Sequence, residues 1–398
     1  MANNNENKIL NVPNLRFPEF TGEWKKCKLK DVCTFYSGGT PSSSNKDYYN
    51  GDIPFIRSGE LHSDKTELFI SSKGLKNSSA KMVSKGDLLL ALYGATSGDI
   101  AISQIEGAIN QAILCIKTDQ SKGFIEATWC KHVKRILQTY LQGGQGNLSA
   151  DIVKNIAFYF APLKEQEKLT QLMKLLDERI ATQNKIIEKL QSLIKGLNDD
   201  ILNDIEGELV CFADLGEAYG GLSGKSGDDF GCGTPFITYL NVYQNTYISE
   251  NDYELVQIAP DEKQNSVQYG DALFTLSSET PEEVGMGAVY LGNSQKLYLN
   301  SFCFGVHFHA NRVLPQYIAH FISSTSFRKA IYPLAQGSTR FNLQKKDFMK
   351  MKFVLPSLEE QERIATALDA LHNHLANEKL LTEQYLLLKQ YLLQQMFI

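Results

Sequence analysis

The chain has 398 residues, 43% of them hydrophobic, and a formal net charge of −5. This length and composition suffice for two ordinary domains with apolar cores and exclude an intrinsically disordered chain. No run approaches the ~20 consecutive apolar residues of a membrane-spanning helix, and the first residues lack the basic and then apolar layout of a signal peptide, so we expect a cytoplasmic protein with no membrane partner.

The strand and helix signals of the first half come in a mixed order. Short runs rich in β-branched, aromatic or leucine residues predict strands at 87–92 (DLLLAL), 112–117 (AILCIK) and 156–161 (IAFYFA). Between them, residues 124–141 (FIEATWCKHVKRILQTYL) have the composition of a helix. From Pro162 the text PLKEQEKLTQLMKLLDERI predicts a long helix, with the proline tolerated just ahead of the first turn.

This long helix carries a heptad stripe. Its positions alternate steps of four and three, and all but Gln183 are apolar: 169, 173, 176, 180, 183, 187, 190, 194, 197 and 201. An apolar stripe of this length cannot be left in water, so we expect it to pack against another helix.

The second half repeats the order of the first. Strands are predicted at 272–276, 302–309 and 351–355, with helix-like residues at 317–334. From Pro356 the text PSLEEQERIATALDALHNHL opens a second long helix. Its stripe comprises residues 364, 368, 371, 375, 378, 381, 385, 388, 392 and 396.

These parallels extend to an internal repeat. Glu165-Gln166-Glu167 and Glu360-Gln361-Glu362 lie 195 residues apart, and the helix stripes match at that offset. Upstream, GDIPFI at Gly51 resembles CGTPFI at Cys232, and VSKGDLLLAL resembles VQYGDALFTL. The segment QGGQGNLS resembles LAQGSTRFNL, which ends at Leu343. The chain is therefore one unit written twice, with copies that differ chiefly in their loops.

The predicted fold class is α+β. We expect two tandem mixed α/β domains, 1–161 and 207–355, separated by two long helices, 162–206 and 356–398. Because the first helix leads into the second domain and the second helix returns from it, antiparallel packing with pseudo-two-fold symmetry is the economical topology.

Motifs for catalysis, metals or cofactors are missing. In GGLSGKSG the phosphate-binding loop would need glycine at Tyr219, and Pro260-Asp261 has no second acid followed by lysine at nuclease spacing. We find no methyltransferase tetrapeptide or nucleophile elbow. The seven cysteines form no CxxC pair, and the two His-x-His pairs have no further ligands at suitable spacing. We therefore expect no cofactor and no metal.

Charge is uneven along the chain. Residues 1–160 carry a balance of +4 and residues 207–355 a balance of −4, although the latter gather a basic run between Arg340 and Lys352. That run is as typical of a solvated face as of a phosphate-contacting one.

Polar, glycine-flanked and aromatic-flanked loops remain as candidates for reading DNA bases. Their side chains suit base edges and phosphates but are equally ordinary in turns. The candidates are Ser37, Gly38, Gly39, Thr40, Arg57, Tyr93, Thr96, Gln111, Tyr219, Ser223, Lys225, Arg340, Asn342 and Lys345.

The duplicated plan resembles the specificity subunit of type I restriction-modification systems. The strongest marks are APLKEQEKLTQLMKLLDERI and LPSLEEQERIATALDAL, supported by VSKGDLLLALYGATSG, QGGQGNLS, NGDIPFI and the block WKKCKLKDVCTFYSGGTP from Trp24. The resemblance implies a non-catalytic protein in which each domain is a target recognition domain that reads one half of a split site in double-stranded DNA.

The resemblance also implies partners. The paired helices would set the gap between the half-sites and dock two modification (methyltransferase) subunits, and restriction (translocase-nuclease) subunits would complete the complex. We expect the docking residues to be Glu165, Gln166, Leu172, Leu175, Ile186, Glu360 and Gln361. Two alternatives stay open: a protein-only scaffold built on the helical hairpin, and an enzyme such as a nuclease or nucleotide hydrolase.

Overall fold

A computed structural model describes residues 10–140, 148–203, 205–249, 253–309 and 312–398, without the side chains of 201–203. The chain divides into two compact units. The first holds residues 1–184 and 381–398, and the second holds residues 185–380. The QGGQGN part of the repeat and the side chain of Ile201 lie outside what is described.

The first unit contains two four-stranded sheets. Its strands are β1 (Lys25–Lys28), β2 (Cys33–Ser37), β3 (Tyr49–Ile56), β4 (Phe69–Ile70), β5 (Lys81–Val83), β6 (Leu88–Ala91), β7 (Ile100–Ile102), β8 (Gly107–Ile109), β9 (Ile113–Thr118) and β10 (Ala157–Phe160). Its helices are α1 (Leu29–Val32), α2 (Ser72–Lys76), α3 (Lys122–Tyr140), α4 (Ala150–Asn155) and the first part of α5 (Leu163–Asn203).

Strand order in this unit is β2-β9-β6-β7 in one sheet and β4-β3-β8-β5 in the other, and β1 pairs antiparallel with β10. Strands β6 and β9 are buried on both faces, which explains why their sequences are almost continuously apolar. One core joins these strands to helix α3 and to the long helices through Trp129, Leu169, Met173 and Phe397. The start of α5 thus packs against the mixed α/β domain that precedes it in the chain.

The second unit repeats this construction. Its strands are β11 (Glu208–Cys211), β12 (Gly216–Gly220), β13 (Phe230–Ile237), β14 (Tyr247–Ile248), β15 (Glu254–Val256), β16 (Ala272–Thr275), β17 (Ser277–Ser278), β18 (Gly287–Tyr290), β19 (Tyr298–Leu299), β20 (Cys303–Phe308), β21 (Ala335–Gln336), β22 (Phe341–Leu343) and β23 (Lys352–Leu355). Its helices are α6 (Phe212–Leu215), α7 (Tyr239–Gln244), α8 (Pro315–Ser323), α9 (Thr325–Ile331), α10 (Lys345–Met349) and α11 (Leu358–Met396), which ends in the first unit.

The predicted duplication is confirmed by the order of the main strands. The pair β11–β23 corresponds to β1–β10, and the order β12-β20-β16-β18 corresponds to β2-β9-β6-β7. The predicted α+β class with tandem mixed domains and long helices is confirmed as well. Short sheets β15-β13-β19 and β17-β22-β21 complete the second unit.

The heptad stripes are buried where they were predicted, with one correction. Leu169, Met173, Ile364 and Leu368 are almost fully buried, whereas Leu388 is 42% exposed. The three successive leucines at 386–388 are all exposed, while Thr382 is buried and the predicted positions Tyr385, Leu392 and Met396 are half-buried or buried. The predicted stripe is therefore interrupted at Leu388 and resumes at Leu392 and Met396.

Helices α5 and α11 run antiparallel within the first unit, as predicted. Arg179 Nε donates to the Tyr385 hydroxyl at 3.2 Å, and Lys389 pairs with Asp177, so residue numbers rise on one helix as they fall on the other. No described helix is long and apolar enough to span a membrane.

Candidate nucleic-acid interface

The glycines after β2 are required by packing. A Cβ on Gly38 would lie 1.8 Å from the Ile109 carbonyl oxygen, and one on Gly39 would lie 1.9 Å from Ser79 Oγ. The turn therefore fits against the backbone only without side chains. Its flanking residues Ser37 and Thr40 are exposed, so the glycines place these two side chains at the edge of the sheet.

Three of the predicted contact residues in the first unit come together. Thr40 Oγ1 donates to Gln111 Oε1 at 2.5 Å, and the Tyr93 hydroxyl donates to the Gln111 carbonyl oxygen. Thr96 lies in the turn that follows Tyr93, where its carbonyl oxygen accepts from Asp99 N at 2.9 Å. We call Ser37, Thr40, Tyr93, Thr96 and Gln111 the first loop cluster; it offers hydroxyl and amide groups suited to base edges.

Arg57 does not join the first loop cluster through any described bond. Its guanidinium bonds Glu60 at 3.0 Å and Glu67 at 2.9 Å. These carboxylates, Glu60 foremost, raise the pKa of Arg57 above its usual value. Its positive charge is thus neutralised locally, which argues against a direct role in contacting DNA.

The second unit builds the equivalent turn in the same way. A Cβ on Gly221 would lie 2.0 Å from the Asn300 carbonyl oxygen, as Gly38 lies against Ile109. Ser223 follows this turn with its side chain exposed, while its backbone exchanges two hydrogen bonds with the Gln264 amide, at 3.1 and 2.8 Å.

Lys225 is tied into its own loop. Its side chain is 9% exposed, and its Nζ lies 2.5 Å from Glu262 Oε2. This ammonium group, followed by the Gln264 amide, lowers the pKa of Glu262 to about 2. The lysine that suggested phosphate binding in GGLSGKSG therefore serves an internal ion pair.

Tyr219 is a correction to the predicted contact set. It is 8% exposed, its hydroxyl donates to Asp271 Oδ2 at 2.7 Å, and its ring stacks on His307 at 4.2 Å. Burial raises its pKa. The residue belongs to the core because the tyrosine before the glycines points inward from β12, which its sequence neighbours alone did not reveal.

Asp271 and its counterpart Asp87 were missed by sequence reasoning. Both are buried and accept a backbone N–H three residues earlier at 2.8 Å, from Gln268 and Ser84 respectively. Each also binds a side chain on the neighbouring strand of its sheet: Asp271 bonds His307 on β20 at 2.7 Å, and Asp87 bonds Lys117 on β9 at 2.5 Å. The Gly-Asp dipeptide shared by the two copies was the available signal.

A second loop cluster lies at the equivalent edge of the second unit. Asn342 on β22 pairs with Ser277 on β17, and the Arg340 guanidinium lies 6.0 Å from the centre of the Phe302 ring. Lys345 Nζ lies 3.4 Å from where a Cβ on Gly220 would be. We define the second loop cluster as Ser223, Phe302, Arg340, Asn342 and Lys345.

An open cavity of about 340 Å³ adjoins this cluster. It is lined by Tyr239, Leu240, Tyr243, Ser277, Ser278, Glu279, Glu283, Phe302 and Arg340. Phe302 is 55% exposed, and the two tyrosine rings stack at 6.1 Å. These aromatic residues were not among the predicted contacts, because Phe302 was read only as the start of a strand.

The Glu-Gln-Glu repeat has a structural explanation that corrects three predicted docking residues. Gln166 and Gln361 are fully buried; each donates to a carbonyl oxygen before its helix, Ala161 at 2.7 Å and Pro356 at 3.0 Å. Each amide oxygen also accepts a backbone N–H just ahead of an earlier helix, from Ser121 before α3 at 3.1 Å and from Leu314 before α8 at 2.8 Å.

Glu165 is buried as well. Its carboxylate forms a bidentate ion pair with the Arg16 guanidinium, with both N–O distances 2.7 Å. Buried side chains with all these internal partners have no surface for a partner protein. The repeated Glu-Gln-Glu segment therefore attaches the start of each long helix to the domain that precedes it.

Other predicted docking residues retain exposed surface to different degrees. Leu175 is 56% exposed, while Leu172 and Ile186 are half-buried. Glu360 binds Arg363 at 2.5 Å on the helix surface. Exposed apolar residues that sequence reasoning did not name lie on the last third of α11: Leu386, Leu387 and Tyr391.

Metal ligation finds no support among the described residues, where no group of three or more His, Cys, Asp or Glu side chains is placed to hold an ion.

Comparisons with known proteins agree on one relationship. The family model of the type I restriction modification DNA specificity domain matches residues 21–192 and 220–384. A type I restriction enzyme MjaVIII specificity subunit from Methanocaldococcus jannaschii is 21% identical over 388 residues, covering 90% of this chain and 88% of its own length. The MjaIX specificity subunit of the same organism is 26% identical over 182 residues, covering 42% of each chain.

Solved structures share the fold. The type I restriction-modification system S subunit from M. genitalium has a TM-score of 0.59 at 12% identity, covering 97% of this chain and 99% of its own. A chain from a structure on complex assembly and conformational transition of the type I R-M system has a TM-score of 0.63 at 15% identity, covering 94% and 97%.

Proposed function

We infer the function from one premise: this chain belongs to the family defined by the type I restriction modification DNA specificity domain, whose model matches both of its halves. The protein is a DNA specificity subunit of a type I restriction-modification system. The subunits of this family are generally non-catalytic, and we propose that this chain likewise recruits catalytic partners without making or breaking bonds itself.

We propose that residues 1–161 and 207–355 are two target recognition domains, each reading one half of a bipartite site in double-stranded DNA. The supporting observation is that the two units build the same glycine turn at the same sheet edge but place different side chains around it. The first loop cluster offers Thr40 and Gln111, whereas the second offers Arg340 and Lys345. Different donor and acceptor groups in the two clusters fit two different half-sites.

The long helices, within 162–206 and 356–398, serve in this proposal as spacer and docking surface. Helix α5 has 41 residues and α11 has 39, so each is ~60 Å long at 1.5 Å per residue. Their exposed leucines, including Leu175 and Leu387, supply apolar surface for two modification (methyltransferase) subunits. Restriction (translocase-nuclease) subunits then join the DNA-bound assembly.

The test is to express the modification subunits of the same system with and without this chain and to map methylated bases across the genome. We expect one bipartite methylated motif only when the chain is present. A matched variant, Thr40→Ala with Gln111→Ala, should degrade one half of the motif while leaving the other intact. If the chain copurifies with the modification subunits yet no motif is methylated, it is a protein-only scaffold, and the proposed function is wrong.

A further inference from the structure

We propose that Arg340 reads a guanine in the half-site bound by the second unit, and that Phe302 is the positioning residue that holds its guanidinium in place. This inference rests on the proposed function and assigns a base to one residue of the second loop cluster.

Arg340, like Lys345, forms no ion pair with a described residue, unlike the two other predicted cations, Arg57 and Lys225. Arg57 is bound by two carboxylates and Lys225 by one. By contrast, the exposed guanidinium of Arg340 forms no ion pair with any residue that the structure describes, and its recorded neighbour is the Phe302 ring at 6.0 Å. Arg340 therefore keeps its charge and its hydrogen-bond donors available for a ligand.

The cation–π contact with Phe302 leaves the N–H donors of Arg340 without a described hydrogen-bond partner. The cation–π attraction acts on the positive charge of the guanidinium, whereas its five N–H donors, which lie in the plane of the group, make the hydrogen bonds. Two such donors match the O6 and N7 acceptors that guanine presents in the major groove. The ring thus orients the group without consuming the bonds that recognise the base.

Both side chains are carried by constrained backbone. Phe302 N donates to Asn300 Oδ1 at 2.9 Å, and its carbonyl oxygen accepts from Leu276 N at 2.8 Å. Arg340 lies in the hairpin between β21 and β22, where Gly337 has φ 143° and a Cβ on it would lie 2.1 Å from the Arg340 carbonyl oxygen. A fixed platform limits the entropy lost on binding.

The charge around Arg340 favours a base over a phosphate. Glu279 and Glu283 line the same cavity. Glu283 accepts hydrogen bonds from the Tyr243 hydroxyl at 2.7 Å and from Ser278 Oγ at 3.0 Å and forms no described ion pair with Arg340. Two carboxylates repel the full negative charge of a phosphate more strongly than the partial negative charges of the O6 and N7 atoms of guanine. The ligand that fits is therefore guanine in a groove.

The experiment uses the complete complex of this chain with its modification subunits, acting on a duplex library with randomised target positions. We expect the wild-type motif to contain a guanine in the half-site that changes when residues 207–355 are exchanged. Arg340→Ala and Arg340→Lys should each lower discrimination at that single position by about 5–150-fold, which corresponds to the ~1–3 kcal/mol of a bidentate base contact. Phe302→Leu should cause a smaller loss at the same position.

The Arg340→Lys variant distinguishes a guanine contact from a phosphate contact. Lysine keeps the positive charge that attracts a phosphate but lacks the paired N–H donors that bind guanine at two atoms. A 7-deazaguanine probe at the position completes the test: it should weaken wild-type binding and leave Arg340→Ala unaffected. Lys329→Ala, which removes an exposed cation elsewhere in the unit, is the matched control and should leave the motif unchanged.

Three outcomes overturn the inference: no guanine in that half-site, an unchanged guanine requirement in Arg340→Ala, or full specificity in Arg340→Lys. Failure of the wild-type complex to methylate any defined motif would instead count against the proposed function.

Discussion

Replacing Gln166 with methionine should destabilise the first unit strongly although it removes no charge and little volume. The buried amide of Gln166 donates to Ala161 O at 2.7 Å and to Gln120 Oε1 at 2.8 Å, and accepts from Ser121 N at 3.1 Å. Methionine fills the space but satisfies none of these groups. The start of α5 would then lose its attachment to the start of α3.

The magnitude follows from the groups left behind. Two backbone groups, Ser121 N–H and Ala161 C=O, lose a partner, and each buried unpaired group costs about 1–3 kcal/mol. After the modest gain from burying an apolar side chain, we expect the free energy of unfolding to fall by about 2–5 kcal/mol.

The assay is urea unfolding followed by tryptophan fluorescence. The chain has two tryptophans, Trp24 and Trp129, and both are buried in the core of the first unit, so their emission reports on that unit. Gln171→Met, the same substitution at an exposed position of α5, is the control and should change stability by no more than about 0.5 kcal/mol. If Gln166→Met shifts the unfolding transition no further than Gln171→Met, the hydrogen bonds of Gln166 do not stabilise the attachment of α5 to its domain.

Three further predictions address the helices and the second unit. Leu368→Ala, at a fully buried stripe position, should lower the free energy of unfolding by about 2–5 kcal/mol. The control Leu387→Ala, at a position that is 65% exposed, should lower it by less than about 0.5 kcal/mol. Equal losses in urea unfolding would refute the predicted burial of the stripe. Burial lowers the pKa of His320 below 6.5, so below about pH 6.5 the unfolded chain binds more protons than the folded one and stability should fall on acidification. His320→Gln, which does not titrate, should reduce that fall, and identical losses of unfolding free energy between pH 7.0 and 5.5 in both proteins would contradict the assignment. Inserting one helical turn of four residues in both α5 and α11 adds ~6 Å to each, so the mapped motif should gain about two base pairs between unchanged half-sites; an unchanged gap would exclude a spacing role.

The sequence was sufficient to predict the duplication, the tandem mixed domains and most of both helix stripes. These features depend on periodicity and self-similarity, which are visible without coordinates. The exposure of Leu388 was not predicted, because the leucines at 386–388 are equally apolar and only packing shows that all three stay exposed.

The candidate site was harder to predict from sequence, because its chemistry depends on pairing between distant loops. Arg57 and Lys225 have the residue types expected at a DNA interface, yet Glu60 and Glu262 engage them in the folded chain. Gln166 and Gln361 illustrate the opposite case, in which a conspicuous polar repeat turns out to be buried. Phe302 gained its importance only once Arg340 was found above its ring.

The most direct test of two independent recognition units is an exchange of residues 207–355 for the corresponding segment of a related specificity subunit, followed by genome-wide mapping of methylated bases. We predict that one half of the bipartite motif changes while the other half and the gap between them stay the same. A change in both halves, or in neither, would contradict the division of recognition between the two units.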